Sequence, residues 1–369
     1  MAKVLKRIGI VLLVILLVLA LTVGGYVLYV TLQYYRIPDN TALDVENPQQ
    51  AALKTGEAYT ALTYNIGFGA YNHDFSFFMD SGTMLDGTPV QGTMGRAQSA
   101  DIVNANTSGV IGALQTAAPD FCLLQEADVD ATRSFHIDQT ALIRTAMPAC
   151  ASVYASNFHS AFLFYPLTEP HGSVEAGLLT LSKHAVDTAV RRSYPVDDSF
   201  PTKFFDLDRC FAELRIPVEG ADGRQLVLIN SHMSAYDKGG TVRQRQLALL
   251  NSVLAEEYAK GNWVIVGGDF NHALCDTVNT FPTQQQVPAW VFTLGDDDLT
   301  DGFSVVRADN VTEVPTCRST DMPYTKGVNY SAVLDGFIVS DNVTAAAHNI
   351  DLDFDYSDHN PVQLTFTLN

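Results

Sequence analysis

Apolar and polar positions fall into two regimes along this chain. The first is continuous: Ile8 to Val30 is an uncharged run of 23 residues, preceded by Lys3, Lys6 and Arg7. As a helix rising 1.5 Å per residue it would be about 34 Å long, enough to cross a hydrocarbon core of about 30 Å. Residues 8–30 therefore read as a transmembrane signal anchor behind a basic N-terminus at 1–7. The positive-inside rule places that terminus in the cytoplasm and the remainder outside it, giving a single-pass membrane protein. Cleavage near Ala20–Gly25 is the competing reading, although a cleaved signal usually has an apolar core of about 7–15 residues. Residues 31–58, with Pro38 and Pro48, read as a linker.

Beyond residue 58 the pattern changes to short apolar runs punctuated by Gly, Pro, Asn and Asp, the mark of strands. Strands are predicted at Ala61–Ile66, Phe121–Glu126, Ala151–Tyr154, Ala161–Phe164, Ala176–Ser182, Cys210–Val218, Arg224–Asn230, Val264–Val266, Ala332–Val339 and Val362–Leu368. Gly267 and Gly268 are expected to end the Val264 strand in a sharp turn. Helical spacing is clearest over Thr241–Lys260, where Leu247, Leu250, Leu254 and Tyr258 recur, with Thr241 as cap and Gly261 as stop. Shorter helices are predicted near Ser108–Ala117 and Gln139–Ala146. The long segment Gly67–Thr107 carries Phe75, Phe77 and Phe78 and reads either as a lid or as a surface excursion. Residues 184–208 read as irregular. Strands outnumber helices and are apolar on both faces, so residues 59–369 are expected to form one α/β sandwich domain of two packed sheets with helices outside.

Composition sharpens this picture. Residues 1–36 hold four of the 22 basic residues and none of the 41 acidic ones, which leaves the remainder at −23. Such a surface repels polyanions at long range and argues against a tight nucleic-acid binder, though not against a metal-assisted nuclease. The five cysteines are widely spaced and match neither a zinc pattern nor a disulfide framework. One or two disulfides stay open, and Cys122 belongs to the core. No Gly-x-Ser-x-Gly elbow occurs, which disfavours lipase-type chemistry.

Six strand ends carry groups suited to phosphate chemistry: Asn65, Glu126, His232, Asp269 with Asn271, Asp335, and Asp358 with His359. Carboxylates and amides suit a hard cation, and two imidazoles suit proton transfer. The ordered series Thr63-Tyr-Asn-Ile66, Leu124-Gln-Glu126, Asn230-Ser-His232, Gly268-Asp-Phe-Asn271, Leu334-Asp335 and Ser357-Asp-His-Asn-Pro361 resembles the motifs of the endonuclease/exonuclease/phosphatase superfamily, over roughly residues 60–369. The resemblance implies a four-layer sandwich of two packed mixed β-sheets flanked by helices, with the site at one end. It implies Glu126 as the main divalent-metal ligand, with Asn65 and Asp358 beside it. It also implies Asp269 and Asn271 as positioners of water and a phosphoryl oxygen, and His359 oriented by Asp335. His232 would stabilise the phosphoryl group and protonate the leaving oxygen, oriented by Glu175 in the manner of a relative's glutamate. Whether an Asp or a His removes the water's proton stays open. Arg133 is the candidate substrate-phosphate contact.

The expected cofactor is Mg²⁺, with Mn²⁺ or Ca²⁺ as alternatives, in a monomer whose membrane contact is the N-terminal helix. The anchor and the acidic surface favour a phospholipid head group or a small phosphoester as substrate. A membrane-tethered extracellular nuclease acting on DNA or RNA is the alternative, and a catalytically silent binding module of the same fold is the third reading.

Overall fold

The computed structural model describes residues 2–235 and 240–369. The apolar N-terminal run is helix α1, Ala2–Gln33, long and apolar enough to cross a membrane and exposed almost throughout. Fourteen strands among the described residues build two large sheets. In chain order they are β1 (Thr41–Ala42), β2 (Val45–Glu46), β3 (Ala58–Asn65), β4 (Phe121–Ala131), β5 (Ala151–Leu163), β6 (Gly172–Ser182) and β7 (Thr188–Ser193). They continue with β8 (Cys210–Pro217), β9 (Gln225–His232), β10 (Trp263–Asp269), β11 (Phe303–Val305), β12 (Asp335–Ser340), β13 (Val343–Asn349) and β14 (Val362–Leu368). The first sheet runs β1-β7-β8-β9-β10-β12-β11 and the second β13-β14-β3-β4-β6-β5-β2.

Each sheet contains one parallel pair, β9 with β10 in the first and β3 with β4 in the second. A parallel pair needs a crossover, and the helices supply it. Helix α2 (Ala100–Ala117) joins β3 to β4, α3 (Gln139–Ala146) follows β4, and α4 (Thr241–Ala259) joins β9 to β10. Inward-facing residues such as Ala61, Leu123 and Leu178 meet Leu228, Val266 and Phe337 in the core between the sheets. Val110, Leu114 and Ile143 of the helices cover Tyr64, Leu124 and Leu179 on the outer face of the second sheet. α4 buries Leu250, Val253 and Leu254 on the first sheet. The layers are helix, sheet, sheet, helix.

Several sequence expectations shift. α2 starts at Ala100, where Ser99 accepts from the Ile102 N–H at 3.2 Å, so the predicted Ser108–Ala117 helix is only its second half. α4 has the predicted extent, but Gly240 is its cap and Thr241 its first residue, with no side-chain cap bond. The expected linker 31–58 is part of the sandwich: β1 pairs with Arg191 and Val190, β2 pairs with Val153 and Ser152, and Leu53 is fully buried. Residues 184–208 include strand β7. The predicted strands at 151–154 and 161–164 are one long strand, β5. All five cysteines are free.

Gly267 and Gly268 do not turn the chain but lie inside β10. A Cβ on Gly268 would sit 1.9 Å from the Ser231 carbonyl oxygen, and one on Gly267 would sit 2.6 Å from the Phe337 ring. Close packing, not a turn, requires them.

Candidate active site

The two parallel pairs end at the same place. β3 delivers Asn65, β9 His232 and β10 Asp269 at their carboxyl ends, where open α/β sheets bind ligands, and β4 delivers Glu126 from its middle, one residue past the end of its parallel pairing with β3. β12 runs antiparallel to β10, so its first residue, Asp335, pairs with Asp269. The turn before β14, which runs antiparallel to β3, adds Ser357, Asp358 and His359.

Glu126 does not continue the ladder. The register of β4 slips between Leu124 and Ala127, and Glu126 takes a left-handed backbone with φ 56°. A bulge re-aims one side chain at the cost of local strain, and such strain concentrates at functional sites. The carboxylate is thereby left partly open to solvent, 23% exposed, while its neighbours are buried. Asn271 also has a left-handed backbone, φ 50°, just past β10. Its N–H donates to Asp269 Oδ1 at 2.9 Å and its amide nitrogen to the Met233 carbonyl at 2.9 Å.

Asp269 Oδ2 is the hub. It accepts from Asn65 Nδ2 at 3.0 Å and lies 3.5 Å from His232 Nε2 and 3.7 Å from His359 Nε2. Asn65 was expected as a metal ligand, but its oxygen faces away. The Gly67 N–H, which can only donate, binds Oδ1 at 3.0 Å, so Nδ2 must be the atom facing Glu126 Oε1 and Asp269. Asn65 bridges two carboxylates as a donor. Beneath the site, Gln125 Nε2 donates to Asn230 Oδ1 at 2.8 Å, and Asn230 Nδ2 donates to the Leu124 carbonyl at 3.2 Å. This polar clasp fixes one sheet's strand ends against the other's.

The two histidines differ in environment. His359 Nδ1 donates to Asp335 Oδ2 at 2.7 Å. Burial disfavours its charged form, but Asp335, with Cys317, Asp269 and Asp358, holds it well above the ordinary imidazole value. Burial pushes Asp335 up to about 6 despite that imidazole. His232 has no comparable partner: its Nδ1 is buried and unbonded. Burial, with the charges of Arg209, His359 and Arg133, holds it well below the ordinary value. Opposed environments of this kind separate an imidazolium from a neutral imidazole.

The remaining predicted residues fall unevenly. Glu175 is not brought to His232: it accepts from Ser156 Oγ at 2.7 Å on the second sheet. Arg133 is close enough for Glu126 to feel, but Nε and Nη2 are held by buried Asp128 at 3.1 and 2.7 Å, under the Phe68 ring. It is a fixed wall, not a free clamp. Arg209, which the sequence reading missed, enters β8 beside the site with Nε and Nη1 buried and unbonded. The only signal for it was its place just before a strand that pairs with the one ending in His232.

Glu126 and Asp358 suit a hard cation. Desolvation and Glu126 push Asp358 up to about 7, against the pull of His359 and Arg318. Two carboxylates crowded in this way are what a divalent ion relieves, and their oxygens match its chemistry. A second group of ligand-type atoms, one each from Asp269, Asp335 and His359, lies within 4.8 Å of one another. There His359 Nδ1 is already bonded to Asp335, so that nitrogen is not free to ligate an ion.

The aromatic segment folds over this end. Phe68, Tyr71 and Phe75 pack together, with Phe77 against them and Phe78 against Tyr165 and His171. It is a packed wall of the site.

A sequence profile described as Endonuclease/Exonuclease/phosphatase family matches residues 62–359. No curated protein matches by sequence. Among solved structures, an endonuclease/exonuclease/phosphatase from Beutenbergia cavernae DSM 12333 is similar at 16% identity and TM-score 0.56, over 85% of this chain and 72% of that one. ANGEL2, a 2′,3′-cyclic phosphatase, is similar at 14% identity and TM-score 0.53, over 90% and 99%. Truncated Caenorhabditis elegans TDP2 is similar at 14% identity and TM-score 0.52, over 85% and 99%. At these identities the likeness is one of fold.

Proposed function

This chain belongs to the Endonuclease/Exonuclease/phosphatase family, and from that premise we propose that it is a divalent-metal-dependent phosphoesterase. It is held at a membrane by α1, with its cytoplasmic N-terminus on one side and its catalytic domain on the other. Its substrate is a phospholipid head group or a small phosphoester. The observation that carries the reading is the meeting of four distant stretches of chain: His232 Nε2 and His359 Nε2 lie 3.5 and 3.7 Å from Asp269 Oδ2, and Glu126 Oε1 is 3.9 Å from His232.

Glu126 and Asp358 would hold the cation. Mg²⁺ is preferred, since it accepts one or two carboxylates and keeps its waters, with Mn²⁺ or Ca²⁺ as alternatives. When bound, such an ion supplies positive charge to the non-bridging phosphoryl oxygens. The protein's own groups do the rest. Asp269 orients the attacking water and takes its proton, with Asn271 and the Asn65 amide fixing its carboxylate. His359, kept as an imidazolium by Asp335, gives a proton to the departing oxygen. Neutral His232 faces the phosphoryl group from the other side through Nε2. The proton donation first expected of His232 thus passes to His359, because His359 Nδ1 is bonded to a carboxylate and His232 Nδ1 is unbonded. Arg209 takes the phosphate-contact role first expected of Arg133.

The deciding experiment uses the full chain in lipid nanodiscs with Mg²⁺, Mn²⁺ or chelator. Sphingomyelin, phosphoinositides, a chromogenic phosphodiester and plasmid DNA are the substrates. Chelator-sensitive hydrolysis of lipid or small ester is expected. Cleavage of DNA alone would overturn the substrate and favour a tethered nuclease. Activity on none of them, equal to that of Glu126→Ala, would leave a silent binding module.

A further inference from the structure

α1 does not run free of the domain. The Tyr26 hydroxyl donates to the Phe162 carbonyl at 3.1 Å, and the Phe162 N–H donates to the Tyr29 hydroxyl at 3.1 Å. Tyr26 also stacks edge-on against Phe164, 5.4 Å between centroids. Past the helix, Tyr35 stacks on His159 at 3.7 Å and Arg36 pairs with Asp208. Depth follows from these contacts. Tyr26 and Tyr29 lie within the last turn or so of the apolar run that ends at Val30, at most about 6 Å short of its end at 1.5 Å per residue. Once that run spans a bilayer, the domain residues touching them sit at the level of the lipid interface.

Phe164 opens the loop 164–171 between β5 and β6, and just past the helix Tyr34 and Arg36 meet Phe204 and Asp208 of the loop 194–209 between β7 and β8. Among the described residues outside α1, ten large hydrophobic residues are exposed, and five of them lie in these loops: Phe164, Tyr165, Leu167, Phe200 and Phe205. Leu167 is 82% exposed and Phe200 66%. Exposed apolar groups gathered on one side of a soluble domain mark an interaction surface, and aromatic rings are the side chains that favour the membrane–water boundary.

Both loops also belong to the catalytic end. Loop 164–171 enters β6, whose first half pairs with β4 just beyond Glu126. Loop 194–209 ends at Arg209 and enters β8, where Phe211 pairs with Ser231, next to His232. Tyr165 packs on Phe78 of the wall around the site.

We propose that loops 164–171 and 194–209 are immersed in the lipid interface of the leaflet from which α1 emerges, so that the catalytic mouth is held against that leaflet and takes phosphoester head groups from it. The occupant is the bilayer itself. Continuity with the anchor's own contact sets its position, and the aromatic character of the loops sets its chemistry. The surface contact rests on the anchor reading, and the choice of head groups rests on the phosphoesterase reading.

The test places tryptophan in the full chain, reconstituted in phosphatidylcholine nanodiscs with or without bromine on the acyl chains. Leu167→Trp and Phe200→Trp should lose most of their added emission to the brominated lipid. Glu219→Trp, in the turn between β8 and β9 at the opposite end of the first sheet, should lose none. Equal emission from all three in both lipids would overturn the contact, and so would equal quenching at position 219. A second arm combines Leu167→Asp with Phe200→Asp. The double variant should raise KM for a head-group ester in the nanodisc and leave kcat/KM unchanged for a water-soluble chromogenic diester. Parallel loss on both substrates would overturn the placement of the mouth. Quenching does not depend on turnover, so absence of any activity would sink the phosphoesterase reading while leaving the contact standing.

Discussion

Replacing Glu126 by alanine should abolish metal-dependent turnover while leaving the fold intact, because the side chain lies at a bulge and, among the described residues, has a single hydrogen bond, from Asn65. Replacing His359 should lower kcat by about 10²–10⁴-fold, the range for loss of a positioned acid or base. The two arginines near the site should behave in opposite ways. Arg209→Ala should raise KM by about 10–100-fold, as expected for a charge-assisted contact of roughly 1.5–3 kcal/mol. Arg133→Ala strips the partner from a buried carboxylate and should cost about 3–5 kcal/mol in stability by chemical denaturation. At this scale the sequence was legible at Asp269, which does end its strand, and less so at Glu126 and His359, which it also put at strand ends but which lie at a bulge inside β4 and in the turn before β14. It was not legible for Arg209, since a single arginine before a strand has no pattern of its own. It misled at Asn65, because the direction of an amide is set by a backbone N–H two residues on.

The elements hold together through contacts that residue patterns only partly disclose. α4 is tied to the first sheet by Glu257, which accepts from Arg215 at 2.9 and 3.0 Å and from Asn262 at 2.7 Å. Burial raises its carboxyl, but these bonds and that from Lys260 outweigh it and bring the value down to about 2. The folded value lies below the unfolded one, so the stabilisation is complete above the unfolded value and is lost as pH falls through about 2. Glu257→Gln should therefore cost roughly 2–3 kcal/mol at neutral pH, and the gap from the parent should close in acid melts. Gly268→Ala should destabilise by about 1–3 kcal/mol or more, since the added methyl meets the Ser231 carbonyl. Strand and helix positions were legible from apolar spacing. The early start of α2 was hidden because Asn104, Asn106 and Thr107 weaken the helical pattern, although Asn106 is buried against Gly69 beside the site's wall and Thr107 against Gln139 of α3.

For the whole molecule, the two-sheet sandwich was readable because six motifs occur in a fixed order. The path of residues 31–58 was not, since edge strands two residues long carry no periodicity. That path has a measurable effect. A chain beginning at residue 37 should melt close to the parent domain, whereas one beginning at residue 59 loses both edge strands and buried Leu53 and should melt well below it by calorimetry. Adding Mg²⁺ at about 100 times its dissociation constant should raise stability by about 2.7 kcal/mol, an effect absent in Glu126→Ala.

β1 belongs to one sheet and β2 to the other, with only Leu43 and Asp44 between them. The chain leaving α1 is thus stitched across both halves of the sandwich almost at once. Anchored as proposed, the enzyme has no leash on which to swing. It would graze only the patch of leaflet beneath it, so its supply of head groups would be set by how fast lipids wander in from the side.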